Sequence, residues 1–87
     1  METALIAFSS STTANRLKKL ASREQIFPLT LTQTPKSVSQ NGCTYSIKCS
    51  MGMLPALLQL AEDYHIQHGN VYREMIDGEG RKFYQKL

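Results

Sequence analysis

The stretch CTYSIKC, at residues 43–49, alternates strictly between two kinds of side chain. The apolar or sulfur-bearing set is Cys43, Tyr45, Ile47 and Cys49, and the polar set is Thr44, Ser46 and Lys48. Successive side chains of a β-strand point to opposite faces of a sheet. The period of two therefore predicts a strand that presents the first set on one face of a sheet and the second set on the other.

The sequence on either side of this strand predicts the rest of the fold. Short apolar or β-rich runs at residues 4–8, 26–32 and 71–76 predict three more strands, the second at a sheet edge because it contains Pro28. Helical spacing of apolar residues predicts one helix over residues 13–24 and another after Ser50, its N-cap, that ends before Gly69.

The order β-α-β-β-α-β predicts an α+β fold, the ferredoxin-like sandwich, in which a four-stranded antiparallel sheet carries two helices on one face. We assign this single domain to residues 1–76 and treat residues 77–87 as a C-terminal tail. We expect the first and third strands to be central and parallel, with both helix N-termini at the edge where these strands end.

The two cysteines are six positions apart in one predicted strand. At ~3.3 Å per residue they lie roughly 20 Å apart, beyond the ~7 Å reach of a disulfide. The dipole of the second helix favours a thiolate at Cys49, whereas its place on the apolar face favours simple packing. Cys43 follows the loop at residues 33–42, and both an accessible thiol and a structural role stay open for it.

Composition narrows the class of protein. With 87 residues, 41% hydrophobic and 20% charged, the chain fits one globular domain rather than a disordered segment. No apolar run approaches the ~20 residues of a membrane-spanning helix. The opening METALIAFSS lacks the basic region of a signal peptide, so we interpret it as the first strand and expect a cytoplasmic protein. The net charge of +3 does not by itself indicate a nucleic-acid partner.

Other candidate sites have ordinary explanations that we favour. His65 and His68 have a spacing that can hold a metal, but no further ligand is evident, and histidines are favourable near a helix C-terminus. The hydroxyl cluster at residues 9–13 can bind an anion, yet it also suits helix capping. RNA binding needs several aromatic residues on the central strands, and the third strand offers only Tyr45.

The segment TPKSVSQNGCTYSIK, at residues 34–48, resembles the motif of a family of short bacterial proteins described as Putative Se/S carrier protein-like. The opening of the family motif is matched by Phe8-Ser9-Ser10 and Ala14. The central T-P-[RK]-x-[IV]-S segment, the glycine–cysteine pair and the basic residue of the next strand are matched by Thr34-Pro35-Lys36, Val38-Ser39, Gly42-Cys43 and Lys48. The resemblance covers about residues 3–76 and closes on Val71-Tyr72-Arg73.

The resemblance implies that Cys43 accepts and delivers sulfur or selenium as a persulfide or selenosulfide. It also implies that Lys36 and Lys48 are the cations that favour the anionic thiol. The supporting motif residues are Thr34, Pro35, Ser39 and Gly42, with Cys49 as a secondary candidate for the thiol. Lysine replaces the commoner arginine at Lys36 and Lys48, which keeps the charge but loses the bidentate guanidinium fork.

We therefore predict a cytoplasmic carrier that acts with protein partners, a donor and an acceptor enzyme, and that uses no metal or cofactor. We expect neither membrane nor nucleic-acid binding, and a stand-alone enzyme is disfavoured because no pair of nucleophile and base is identifiable. The alternative is a non-catalytic binding or regulatory module. Its loop at residues 33–42 would recognise a protein or a small anion, and Cys43 would be structural.

Overall fold

The computed structural model describes residues 2–26, 28–36 and 44–87. Two helices and five strands follow one another in this part of the chain, and they are β1 (Thr3–Phe8), α1 (Ser11–Arg23), β2 (Thr30–Gln33), β3 (Tyr45–Ser50), α2 (Leu54–Asp63), β4 (Val71–Ile76) and β5 (Lys82–Lys86). The strands form one antiparallel sheet in the order β2-β3-β1-β4-β5. The predicted α+β class is confirmed. β2 lies at a sheet edge as predicted, although it begins at Thr30, so Pro28 precedes the strand instead of lying within it.

The sheet has five strands where the sequence predicted four. The additional strand, β5, comes from the segment interpreted as a tail, and it pairs with β4 along its whole length. The turn between them is closed by a backbone hydrogen bond of 3.0 Å from Gly80 N–H to the Asp77 carbonyl. Gly80 has a φ of +81°, the left-handed conformation that a three-residue hairpin loop requires at its last position.

The two central strands, β1 and β3, are antiparallel, which corrects the expectation that they run parallel. Thr3 lies opposite Ser50 and Phe8 lies opposite Tyr45. The end of β1 therefore lies beside the start of β3. The N-termini of α1 and α2 lie at opposite ends of the central strands. The antiparallel pairing brings the start of α1, which follows β1, close to the start of β3.

The helices begin differently. The Ser10 side chain accepts a hydrogen bond of 3.2 Å from Thr12 N–H and caps α1, as the hydroxyl cluster predicted. Ser50 does not cap α2, because α2 starts only at Leu54 after a turn in which the Ser50 carbonyl accepts Met53 N–H at 3.0 Å. Pro55 occupies the first turn of α2, where its missing N–H costs nothing.

Both helices end in the same motif. Gln25 and His65 follow the C-caps with φ values of 60° and 53°. The next residues, Ile26 and Ile66, each donate a 2.8 Å backbone hydrogen bond to the carbonyl of an alanine in the last turn. This six-to-one bond is the Schellman motif. It ends α2 at Asp63, before Gly69 as predicted.

The main core lies between the helices and one face of the sheet, here called the helix-bearing face. Its fully buried members include Ile6, Phe8, Leu17, Ile47 and Leu57. The opposite face, here called the open face, has a smaller buried cluster of Leu5, Ala7 and Tyr72, with Tyr84 packed against it. In the described part of the chain, no helix combines the length and the apolar character needed to cross a membrane.

Candidate functional site

One end of the sheet brings together two separate parts of the sequence motif. Phe8 of β1 and Gln33 of β2 both lie opposite Tyr45 of β3. Beyond these strand ends, Thr34 N–H donates a hydrogen bond of 3.0 Å to the Thr44 carbonyl. We call this end of the sheet, with Phe8, Gln33, Thr34, Thr44 and Tyr45, the Phe8 edge. Cys43, the thiol predicted to carry sulfur, immediately precedes Thr44 in the chain, so the predicted reactive position is next in sequence to this end of the sheet.

A buried pair of hydroxyl groups holds the base of this hairpin. Thr34 Oγ1 and Ser46 Oγ are 2.6 Å apart and share a hydrogen bond. Both residues are buried, Thr34 with 8% of its surface exposed and Ser46 with none. A buried hydroxyl without a partner would be costly, so the pair fixes the side chains of Thr34 and Ser46 relative to each other. The sequence motif singled out Thr34, whereas it gave no signal for Ser46 beyond its polar position in the alternation.

The Phe8 edge also receives the N-terminus of α1. Because Phe8 ends β1, the capping residue Ser10 and the first turn of α1 follow directly at this edge. The first turn of α1 contains no acidic residue, and the helix contains four basic ones, which are Arg16, Lys18, Lys19 and Arg23. The helix dipole makes the potential at the start of α1 positive, and Arg16 and Lys19, which line one recess with Thr12, add to it. Such a potential favours a bound or covalently attached anion.

His68 lies at the same edge, which its sequence position did not indicate. Its ring packs against Phe8 with ring centroids 6.4 Å apart and an interplanar angle of 65°. Gly69 N–H donates to the Ala7 carbonyl at 2.7 Å, which fixes this segment along the end of β1. His68 Nδ1 lies 2.7 Å from the Gly69 carbonyl, so Nδ1 carries the proton that makes this bond.

The surface of the Phe8 edge is indented. A recess of about 270 Å³ is lined by Gln33, Thr34, Thr44 and Tyr45. Its walls are formed by the two ends of the β2–β3 hairpin, with hydroxyl, amide and phenol groups among the lining side chains. The chemistry of this lining suits a small polar or anionic group rather than a large apolar ligand.

Cys49 is part of the core. Its side chain belongs to the cluster on the helix-bearing face and is 5% exposed, as its place in the alternating pattern predicted. Burial raises the pKa of the Cys49 thiol from 9.0 to about 11. The proximity of α2, which on dipole grounds favours a thiolate, is outweighed by this desolvation. Cys49 is thus a neutral thiol at physiological pH.

Lys48 takes part in a polar cluster on the open face. Its Nζ lies 3.3 Å from Glu74 Oε2, and Lys82 Nζ lies 3.7 Å from Glu74 Oε1. The Tyr84 hydroxyl donates to Glu74 Oε2 at 3.3 Å. Burial first, and then the Glu74 carboxylate, raise the pKa of Tyr84. Lys48 is three residues beyond Tyr45, or ~10 Å along the strand, so it lies away from the Phe8 edge.

The remaining predicted site residues fall into two groups. Pro35 is partly buried, and Lys36 is exposed in the turn that follows β2. Cys43, Ser39 and Gly42 lie outside the described residues. His65 and His68 follow the end of α2, so helical spacing does not apply to them. Nowhere in residues 2–26, 28–36 and 44–87 do three His, Cys, Asp or Glu side chains form a group that could hold a metal.

These features define a small α+β domain in which Cys49 is buried and Thr44, the residue that follows Cys43 in the chain, lies at a polar end of the sheet. The model of the family described as Putative Se/S carrier protein-like matches residues 3–73. Since the match covers most of the chain, the protein belongs to this family, and the resemblance noted from its motif is confirmed. No curated protein and no solved structure showed a significant match to the chain.

Proposed function

We propose that the protein carries sulfur or selenium on the thiol of Cys43 and passes it between partner enzymes. The observation that carries this proposal is membership of the carrier-like family over residues 3–73, a span that contains both cysteines of the chain. The family description names the cargo but assigns no residue, so the choice between the two thiols rests on the fold.

The burial of Cys49 favours Cys43 as the working thiol. A carrier must present a thiolate to a partner, because the thiolate rather than the thiol is the nucleophile. Cys49 packs in the main core with 5% of its surface exposed, and its pKa of about 11 leaves it protonated at neutral pH. The chain has only two cysteines, so we assign the thiol that reacts near neutral pH to Cys43.

The surroundings of residue 44 support an anionic sulfur at the neighbouring position. The N-terminus of α1 lies at the Phe8 edge, and the helix carries basic residues without acidic ones. A persulfide or selenosulfide anion is stabilised by such a positive potential. Thr34 holds the start of the loop on β3 through its hydrogen bond with Ser46, and we assign Pro35, Ser39 and Gly42 to the support of the same loop.

We assign the principal cation to Lys36 rather than to Lys48. Lys36 is exposed in the turn next to the carrier segment. Lys48 is already paired with Glu74, which offsets its charge. We therefore give Lys48 a secondary, longer-range part in favouring the anionic thiol.

The proposed transfer is an exchange of sulfur between thiols. The Cys43 thiolate attacks the outer sulfur of a donor persulfide, a new S–S bond forms, and the donor leaves as a thiolate. In the second step a nucleophile of the acceptor attacks the outer sulfur of the Cys43 persulfide, and the Cys43 thiolate leaves. No net oxidation occurs in either step. A selenosulfide donor gives the same balance, with an S–Se bond in place of the S–S bond.

This chemistry places the protein between two partner enzymes rather than making it an enzyme with its own small substrate. We propose a donor that forms a persulfide or selenosulfide and an acceptor that consumes the delivered atom. A carrier thiol must stay reduced between transfers, which supports a cytoplasmic location in a bacterial cell.

The test compares wild type with two matched single variants, Cys43→Ser and Cys49→Ser. Each protein is incubated with a low-molecular-weight persulfide, and intact mass spectrometry records the gain of one sulfur atom. We expect wild type and Cys49→Ser to be loaded and Cys43→Ser to remain unloaded. Before loading, alkylation of the Cys43 thiol in Cys49→Ser should titrate below the ordinary pKa of a free cysteine.

The opposite loading result would contradict the proposal. If Cys43→Ser is loaded as fast as wild type, Cys43 is not the carrier. If no thiol of the folded wild type is loaded or alkylated until denaturant is added, neither cysteine is accessible, and the chain is a binding module instead.

A further inference from the structure

The outer edge of β5 is an exposed strand edge. β5 ends the strand order, and in the described part of the chain no strand pairs with its outer side. The family match stops at residue 73, within β4, so β5 lies beyond the matched region. An exposed edge strand offers unpaired backbone groups to a partner segment.

The hydrogen-bond pattern shows which backbone groups are available. Asp77 N–H donates to the Arg81 carbonyl at 2.9 Å, and Leu87 N–H donates to the Val71 carbonyl at 2.9 Å. Hydrogen-bonded and non-bonded pairs alternate along an antiparallel ladder. The backbone groups of residues 83 and 85 therefore face β4. Those of Lys82, Tyr84 and Lys86 face outward.

The side chains of β5 divide the edge into a basic side and an apolar side. Lys82 and Lys86 lie on the open face with Tyr84, as their pairing opposite Ile76, Tyr72 and Glu74 shows. Phe83 and Leu87 lie on the helix-bearing face, with 46% and 57% of their surfaces exposed. A partner strand would thus meet the ammonium groups of Lys86 and Lys82 on one face and exposed apolar surface on the other. Lys82 Nζ also lies 3.7 Å from Glu74 Oε1, so Lys86 supplies the larger part of the free positive charge.

A second copy of the chain fits this edge poorly. Antiparallel pairing of two β5 strands over their full length is centred on Tyr84, and it places Lys82 of each copy opposite Lys86 of the other. Like charges directly opposite each other destabilise a strand pair. The charges instead complement a partner strand that carries carboxylates at the same two positions.

We propose that the outer edge of β5 binds an extended acidic segment of a partner protein by antiparallel strand addition. Residues that face each other across a ladder share a sheet face. The segment therefore has the pattern acidic, apolar, any, apolar, acidic, with its carboxylates opposite Lys82 and Lys86 and an apolar side chain beside Phe83. This docking surface is independent of the proposed chemistry of Cys43, and either proposal can fail without the other.

The test uses the full chain, labelled with ¹⁵N, and two blocked peptides that contain Glu-Val-Thr-Val-Glu or Lys-Val-Thr-Val-Lys. We expect the acidic peptide to shift the amide resonances of residues 82–86 and to slow hydrogen exchange at the outward-facing Tyr84 amide. The acidic peptide places opposite charges beside Lys82 and Lys86, whereas the basic peptide places like charges there. The acidic peptide should therefore bind about tenfold more tightly than the basic one.

Charge-reversal variants separate docking from general attraction. Lys86→Glu reverses one of the two charge pairs, so it should weaken binding of the acidic peptide about threefold and strengthen binding of the basic one. Lys19→Glu makes the same change in net charge on α1 and should leave both affinities unchanged. Equal losses in the two variants would show attraction by net charge alone and overturn the proposal. It is also overturned if the β5 amides do not shift with either peptide, whereas the Cys43 proposal would stand.

Discussion

The two faces of the sheet share the central strand β1 but are stabilised by different means. On the helix-bearing face, Ile6 and Phe8 are buried under two helices in a continuous apolar core. On the open face, Leu5 and Ala7 of the same strand are buried by neighbouring side chains alone. Polar pairs flank them, notably Thr34 with Ser46. The comparison indicates that burial supplies most of the stability on one face, while directional polar contacts fix the hairpin on the other.

The largest expected effect is the loss of a leucine from either face. Leu57→Ala removes a fully buried side chain of α2 from the main core, and we expect it to lower the free energy of unfolding by about 3–4 kcal/mol. Leu5→Ala removes the same atoms from the open face, where water can reach the space left behind. We expect a smaller loss there, of about 2–3 kcal/mol. Urea unfolding followed by circular dichroism measures both.

An equal or larger loss in Leu5→Ala would contradict this difference between the faces. Leu58→Ala, in the same helix turn as Leu57 but only partly buried, is the matched control for α2. It should cost clearly less than Leu57→Ala, because less apolar surface returns to water.

The next largest expected effect is a decrease in the free energy of unfolding at alkaline pH, caused by the buried Cys49 thiol of the main core. The Cys49 thiol has a pKa of about 11 in the folded protein, against 9.0 for a free thiol. Between these values the unfolded chain loses its thiol proton first, so it binds fewer protons than the native state, and stability falls as the pH rises. The stability present below pH 9 should decrease by about 2 kcal/mol up to pH 11.

Urea unfolding of wild type and Cys49→Ala across pH 8–11 isolates this contribution. The raised pKa of Tyr84 acts in the same direction and is present in both proteins, so the difference between their pH profiles belongs to Cys49. Parallel profiles for the two proteins would show that Cys49 titrates normally and is not held in the core.

The third effect breaks the hydroxyl pair of the open face. Ser46→Ala leaves Thr34 Oγ1 buried without its partner, and we expect a loss of about 1–2 kcal/mol in the free energy of unfolding. The double variant Thr34→Val with Ser46→Ala removes both polar groups, so it should cost less than the sum of the single changes. Thr44→Val, at an exposed position beside the pair, should be nearly neutral. Strict additivity in the double variant would mean that the two hydroxyls are not coupled.

The contrast between the helix-bearing face and the open face also shows which features of the fold could be predicted from the sequence. The apolar face was predictable, because the alternation in β3 and the helical spacing in α1 follow directly from burial. β4 was predicted with its bounds at Val71–Ile76. The hydroxyl pair was not predictable, since Ser46 stands twelve residues from Thr34 and only the pairing of β2 with β3 brings them together.

The fifth strand was missed for a physical reason. Its pattern KFYQK alternates only weakly, because it lies at an edge and exposes four of its five residues. Asp77-Gly78 is a hairpin signal, and the Asp77 side chain accepts hydrogen bonds from Glu79 N–H and Arg81 N–H at 2.9 Å each. The meeting of α1 with the β2–β3 hairpin was also missed, because it depends on β1 and β3 being antiparallel.

The smallest expected effect concerns the ion pair of Lys48 with Glu74. Lys48→Met keeps much of the aliphatic side chain and removes the charge, and we expect a loss below about 1 kcal/mol that shrinks at high salt. Lys36→Met, at an exposed position next to the carrier segment, should not change the free energy of unfolding measurably. The alkylation rate of Cys43 against pH should show the reverse order, with a larger upward shift of the thiol pKa in Lys36→Met. If Lys48→Met shifts that pKa more, the charge on the open face reaches the Phe8 edge, and the two faces act on one site.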